Sequence, residues 1–174
     1  MTKRPQEIAL GDTHSGDPMS AIDPISRRIL QLLLADGRAS YQAIADEVGL
    51  SRPAVMERVK RLEESGHILG YTARLDRAKL GFPITAFVAV RYPGSELDGG
   101  ESAVRSLMSN PSVLECHHVA GEDCYILKVA APSLEALERI LRSLREPGLS
   151  ATTRTTIVLS SVFEKAGVAP MEVD

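Results

Sequence analysis

The run Ser51-Arg52-Pro53-Ala54-Val55-Met56-Glu57-Arg58-Val59-Lys60-Arg61-Leu62-Glu63-Glu64-Ser65 reads as one helix with two chemically opposite faces. At about 100° per residue, Val55, Val59 and Leu62 fall within about 60° of arc, so they face a core. Pro53, Met56, Glu57 and Lys60 point the opposite way. Ser51 is placed to cap the helix start and Pro53 sits in its first turn, while Gly66 stands where a left-handed C-terminal cap is needed. Between Ser51 and Arg61, the four bases Arg52, Arg58, Lys60 and Arg61 meet only Glu57, a local charge of +3.

Upstream, Asp23-Pro24 predicts a capped helix with Ile25, Ile29, Leu32 and Leu33 on one face, ending near Asp36-Gly37. Ser40 caps a second, short helix that turns Tyr41, Ile44, Ala45 and Val48 inward and breaks at Gly49. Two short amphipathic helices, a glycine turn and a basic third helix form the pattern of a helix-turn-helix, whose last helix lies in a DNA major groove. The following Ile68-Leu69-Gly70-Tyr71-Thr72-Ala73-Arg74-Leu75 alternates like a strand, which predicts a winged variant.

From Phe82 the period changes. Phe87–Arg91 reads as a strand, Pro93–Gly100 as a Gly- and Asp-rich loop, and Val104, Leu107 and Met108 as a helix ending near Asn110-Pro111. Val113–Ala120 and Cys124–Ala130 read as a hairpin around Gly121-Glu122. Ser133 caps a helix with Leu134, Leu137, Leu141 and Leu144 inward, and Thr152–Phe163 closes as a strand. The order βαββαβ predicts an α+β ferredoxin-like sandwich, a single antiparallel sheet with its helices on one face.

If the turn pairs Ala120 with Asp123, the opposed residues are Leu114/Val129, Cys116/Leu127 and His118/Tyr125 on one side. Glu115/Lys128 and Val119/Cys124 lie on the other, with the Glu115/Lys128 charge pair supporting that register. The second side, carrying Val113, Val119 and Ile126 between its charges, is too apolar to be left in water, which predicts a homodimer through the sheet.

Composition frames these elements. The chain has 174 residues and a formal net charge of −3, which excludes a large multidomain enzyme. The charge is uneven: −1 over residues 1–19, +2 over 20–80 and −4 over 81–174, so only the front module is expected to meet a polyanion. No apolar run approaches the ~20 residues of a membrane span, and Ile8-Ala9-Leu10 is too short for a signal-peptide core. Two cysteines, Cys116 and Cys124, make no disulfide framework, and no metal-ligand spacing is present. A cytoplasmic protein without cofactor or metal is expected. Residues 1–20 read as a flexible tail, with Met19 an alternative start, 21–78 as the DNA-binding domain, 82–164 as the sandwich and 165–174 as a second tail.

Together these residues resemble the Lrp/AsnC (feast/famine) transcriptional regulators. The stretches that carry the likeness are Asp23–Leu34, Gly37-Arg38-Ala39-Ser40, Ile44-Ala45, Val48-Gly49-Leu50-Ser51, Val55, Arg58–Glu63, Gly66-His67-Ile68 and Gly70-Tyr71-Thr72-Ala73, in order and spacing. The match covers roughly residues 21–164, spanning both modules. It implies a ferredoxin-like (RAM-type) effector domain that dimerises, assembly of dimers into octamers or open helical arrays, and an amino acid or similar small molecule bound between dimers.

On double-stranded DNA, the capped helix starts at Ser40 and Ser51 would sit on phosphates, reinforced by Arg52, Arg58 and Arg61. Base reading would fall to Pro53, Met56, Glu57 and Lys60, with Glu57 accepting from a cytosine amino group. Arg58 lies nearer the core face, where Glu63 or Asp46 is an alternative partner. The resemblance places the effector loop at residues 118–125, giving His118, Gly121, Glu122 and Asp123, with Thr153, Thr155 and Thr156 close by. The family's usual Gly-x-x-Asp-Tyr is altered here, because Cys124 takes the aspartate position and the acids move to Glu122 and Asp123.

Three rival readings of these residues stand beside it. A redox or metal sensor built from Cys116, His117, His118, Asp123 and Cys124 is opposed by the two cysteines' falling on opposite sheet faces. A haem-pathway decarboxylase on the same scaffold is opposed by the capped basic third helix, so no catalytic residues are assigned. An architectural DNA-coating protein without effector is distinguished only by ligand-dependent binding.

Overall fold

Asp23 opens the first helix as its chemistry requires. One carboxylate oxygen accepts from the Ile25 and Ser26 backbone N–H groups at 3.1 and 3.2 Å, two of the donors that a helix start leaves without partners. The computed structural model describes residues 22–92, 109–144, 151–165 and 167–170. Its chain divides into two units, Met1–Thr72 with Lys165–Asp174 and Ala73–Glu164.

In the first unit, α1 spans Pro24–Ala35, α2 Tyr41–Val48 and α3 Arg52–Glu64. Ser40 accepts from the Ala43 N–H and Ser51 from the Ala54 N–H, as their positions predict. Gly49 ends α2 at φ 66°, and Gly66 takes φ 76° just past α3, both left-handed turns that favour glycine. Ile29, Ile44, Ala45, Val55, Val59 and Leu62 form the buried core. The strand expected over Ile68–Leu75 is not formed: residues 68–76 carry no strand. Gly70 at φ 156° interrupts the extended run, and a strand is stable only when its backbone groups find a ladder partner.

In the second unit, β1 (Ile84–Arg91), β2 (Val113–His118), β3 (Tyr125–Ala131) and β4 (Thr152–Ile157) form one antiparallel sheet in the order β2-β3-β1-β4. Helix α4 (Leu134–Ser143) is capped by Ser133, whose hydroxyl accepts from the Ala136 N–H at 3.2 Å. The architecture is therefore α+β, helices followed by a ferredoxin-type sheet order. The loop Pro93–Gly100 and the helix expected around Val104, Leu107 and Met108 lie outside the described residues, as do the tail over 1–20 and the last residues of the chain.

Alternation along β1 puts Ala86, Val88 and Val90 on the inner face with Tyr125, Leu127 and Val129 of β3 and Leu137, Ile140 and Leu144 after and along α4. Two expectations shift. Leu134 is exposed and Ile140 is buried, because the apolar stripe of α4 starts one turn later than its first leucine. β4 stops at Ile157, with a last bond from the Val158 N–H to the Thr85 carbonyl at 2.9 Å, and Leu159, Val162 and Phe163 are left exposed.

The β2–β3 register matches expectation at Glu115/Lys128, Cys116/Leu127 and His118/Tyr125. A bulge changes the pair expected at Leu114: Val113 takes the place opposite Val129, and Leu114 becomes the extra residue, left exposed. Lys128 Nζ lies 3.4 Å from Glu115 Oε1 and 3.3 Å from Glu164 Oε1, and its side chain is only 16% exposed. Glu164 also accepts from Arg77 Nη2 at 3.1 Å, and its backbone carbonyl accepts from Arg74 Nη2. Arg77 and then Lys128 hold its carboxyl below the usual glutamate range.

Candidate nucleic-acid interface and effector site

Of the proposed DNA-facing residues, Ser40, Ser51, Arg52, Pro53, Met56, Glu57, Lys60 and Arg61 are all exposed. The reading face of α3 is therefore open to solvent along its length. Its charges are held in i,i+4 pairs, Arg61 Nε to Glu57 Oε1 at 3.1 Å and Lys60 Nζ to Glu64 Oε1 at 3.6 Å. Such exposed pairs contribute little to stability. Tyr41, Pro53, Met56, Glu57, Lys60 and Glu63 line an open groove of about 400 Å³ between α2 and α3. At its end the Tyr71 hydroxyl donates to Glu63 at 3.0 Å; burial and then that carboxylate push the phenol up to about 12.

Arg58 sits differently. Its guanidinium donates to Asp23 Oδ2 at 2.8 Å and to Ser26 Oγ at 3.0 Å, while the Ser26 hydroxyl donates to the same carboxylate. It ties α3 to the start of α1, and neither Glu63 nor Asp46, the partners that the sequence offers, is involved: Glu63 accepts from Tyr71 and Asp46 from Gln42. Burial works to raise the Asp23 carboxyl, but the Ser26 hydrogen bonds and Arg58 outweigh it and hold the group below the usual aspartate range.

In the second unit, one row across all four strands reads His118–Tyr125–Val90–Thr153. His118 stacks against Tyr125 with ring centroids 5.0 Å apart, and Tyr125 meets Tyr92 edge-on at 6.4 Å. Thr155 lies in the next inward row, opposite Val88, whereas Thr156 faces outward opposite Phe87. Three strand spacings, about 14 Å at ~4.8 Å each, separate His118 from Thr153. The expected effector residues therefore share a sheet end without all converging on one point of this chain. Gly121 is exposed at φ 149°, and Glu122 is exposed beside it. Asp123 Oδ2 accepts from Arg154 Nη2 at 2.8 Å.

Arg154 was not singled out from the sequence. Its even spacing from Thr152 and Thr156 puts it on the outward face of β4, but its nearness to the hairpin follows from β4 and β3 both pairing with β1. Both cysteines are free; Cys116 is exposed on β2, and Cys124 packs against the core with Sγ 3.8 Å from the Tyr92 carbonyl. Among the described residues no group of acids, histidines and cysteines is placed to hold a metal, and no helix is long and apolar enough to cross a membrane.

An open, capped, basic third helix joined to a ferredoxin-type sheet defines a helix-turn-helix regulator with a separate ligand-binding module. Comparison with known proteins agrees: residues 22–63 match the AsnC-type helix-turn-helix domain and residues 85–168 the Lrp/AsnC ligand binding domain. The chain belongs to the Lrp/AsnC family of transcriptional regulators. It is 38% identical over 145 residues to the HTH-type transcriptional regulator LrpA of Mycobacterium tuberculosis, covering 82% of this chain and 93% of that one. To the leucine-responsive regulatory protein of Escherichia coli K12 it is 36% identical over 147 residues, covering 83% and 89%. A solved structure of a feast or famine regulatory protein from M. tuberculosis, complexed with L-methionine, superposes with a TM-score of 0.78 at 36% identity, covering 86% of this chain and 100% of that one.

Proposed function

We propose that this protein is a sequence-specific, double-stranded-DNA-binding regulator of the cytoplasm, not an enzyme, whose assembly and DNA affinity respond to an amino acid. The observation that carries the reading is the conjunction of an exposed basic α3 with a ligand-binding module whose relative at 36% identity holds L-methionine. Residues 21–78 form the DNA-binding domain and 82–164 the effector and oligomerisation domain. Ser40, Ser51, Arg52 and Arg61 meet phosphates, and Pro53, Met56, Glu57 and Lys60 face base edges. Arg58 orients α3 from behind.

The effector lodges at the hairpin that carries His118, Gly121 and Glu122. Two chains pair through the outer sheet face, where Phe87 is exposed beside Lys128, giving two reading helices for pseudo-palindromic half-sites; dimers assemble further and bend the bound DNA. The effector shifts DNA affinity only by its differential affinity for assembly states.

The test is a mobility shift on the DNA upstream of the protein's own coding sequence at fixed salt, with and without each proteinogenic amino acid. A specific complex altered by one amino acid is expected. Specific binding unaffected by any of them would leave a DNA-binding protein without this effector class, and absence of specific binding would remove the regulator reading for this DNA.

A further inference from the structure

The hairpin loop over residues 119–124 is fixed at its ends and open at its tip. The Val119 N–H donates to the Cys124 carbonyl and the Cys124 N–H to the Val90 carbonyl, each at 2.9 Å. Cys124 Sγ reaches the Tyr92 carbonyl, so the residue in the usual aspartate position serves the loop's base. A side chain at Gly121 would meet open space, and Glu122 is exposed. Among the described residues the tip is tethered by one side chain, Asp123, which is 20% exposed and accepts from Arg154 at 2.8 Å. Arg154 itself is 71% exposed and stands on the outward face of β4, opposite Ala89.

We propose that Arg154 is a positioning residue of the effector loop: through its ion pair with Asp123 it holds the 119–124 turn in the shape that receives the amino acid. The inference rests on the effector reading above. It also gives Asp123 a different part from the one expected of it, since its Oδ2 is engaged by a guanidinium of this chain. An exposed pair contributes little to a whole fold, but a loop held by few contacts opens far more readily than the core, so one tether can govern its shape. A ligand then binds more tightly because the ordering has been done beforehand.

The test is calorimetric titration of the full chain at low salt with the amino acid that binds it most tightly from the proteinogenic set. Arg154→Ala, Asp123→Asn, the double variant and Arg154→Lys are compared, with thermal midpoints as folding controls. Arg154→Ala and Asp123→Asn are each expected to weaken binding by about two- to fivefold. The double variant should be no weaker than either single one, as for residues acting through one interaction. Arg154→Lys should retain most of the affinity, and the wild-type advantage should fade as salt screens the pair.

If Asp123→Asn costs far more than Arg154→Ala, Asp123 touches the ligand and the proposal is wrong. Losses that multiply in the double variant, or no loss in either single one, overturn it equally. Uptake of no amino acid by the wild-type chain would sink the effector reading itself and this inference with it.

Discussion

Asp23 caps α1 and, with Ser26, receives Arg58 from the middle of α3, so one carboxylate both starts a helix and fixes the tilt of the next one over. Asp23→Ala is expected to destabilise the helical unit by about 1 kcal/mol, the usual cost of a lost N-cap. Because the folded-state carboxyl lies below its ordinary value, its stabilisation is complete above the unfolded aspartate range and is lost as pH falls through the lowered value. Urea midpoints at neutral and acid pH should therefore converge between the wild type and Asp23→Asn at the acid end; parallel curves would refute the linkage. Lys60 and Arg61 are held only in exposed pairs. Replacing either by alanine should lower affinity for all DNA sequences and reduce the slope of log K against log salt by about 1. Fluorescence anisotropy across a salt series reads both quantities, and unchanged slopes would take these residues off the DNA face.

Each element is set by its own periodicity and then adjusted by what it packs on. Leu127 of β3 is fully buried between β1 and β2 in the ladder and against the inner core. Leu127→Ala should destabilise the sheet unit by about 2–5 kcal/mol through lost burial and the cavity left behind; a loss under about 1 kcal/mol would mean that the site collapses to fill it. At the hairpin, Gly121 holds a φ of 149°, which L side chains rarely adopt. Gly121→Asp adds strain of about 1–3 kcal/mol and an anionic group at the tip, so effector affinity should fall by roughly tenfold or more in calorimetry. Unaltered affinity would remove the turn from the effector site.

At the level of the whole molecule, the outer sheet face carries Phe87, 42% exposed, between Thr156 and Lys128. Phe87→Glu would place a charge in a pairing surface, so sedimentation velocity at micromolar concentration should show a shift from dimer to monomer; an unchanged species would relocate the dimer seam. The helices were legible because caps and a 3.6-residue stripe are local signals: Asp23, Ser40, Ser51 and Ser133 each cap the helix their position predicts. The α+β class and most of the hairpin register followed from alternation and a single charge pair, Glu115 with Lys128. What local pattern could not carry were contacts between distant segments. The bulge at Leu114 and the absence of a strand after α3 depend on how, and whether, a neighbouring backbone is there to pair with. Arg58 on Asp23 and Arg154 on Asp123 join residues 35 and 31 positions apart. The sequence by itself determined which helices form, which faces are apolar and which helix is basic, because these depend on neighbours a few residues away. Only the tertiary structure decided which charges are tethered inward and which remain open to a ligand, because that depends on where the sheet and the helix crossings bring remote side chains.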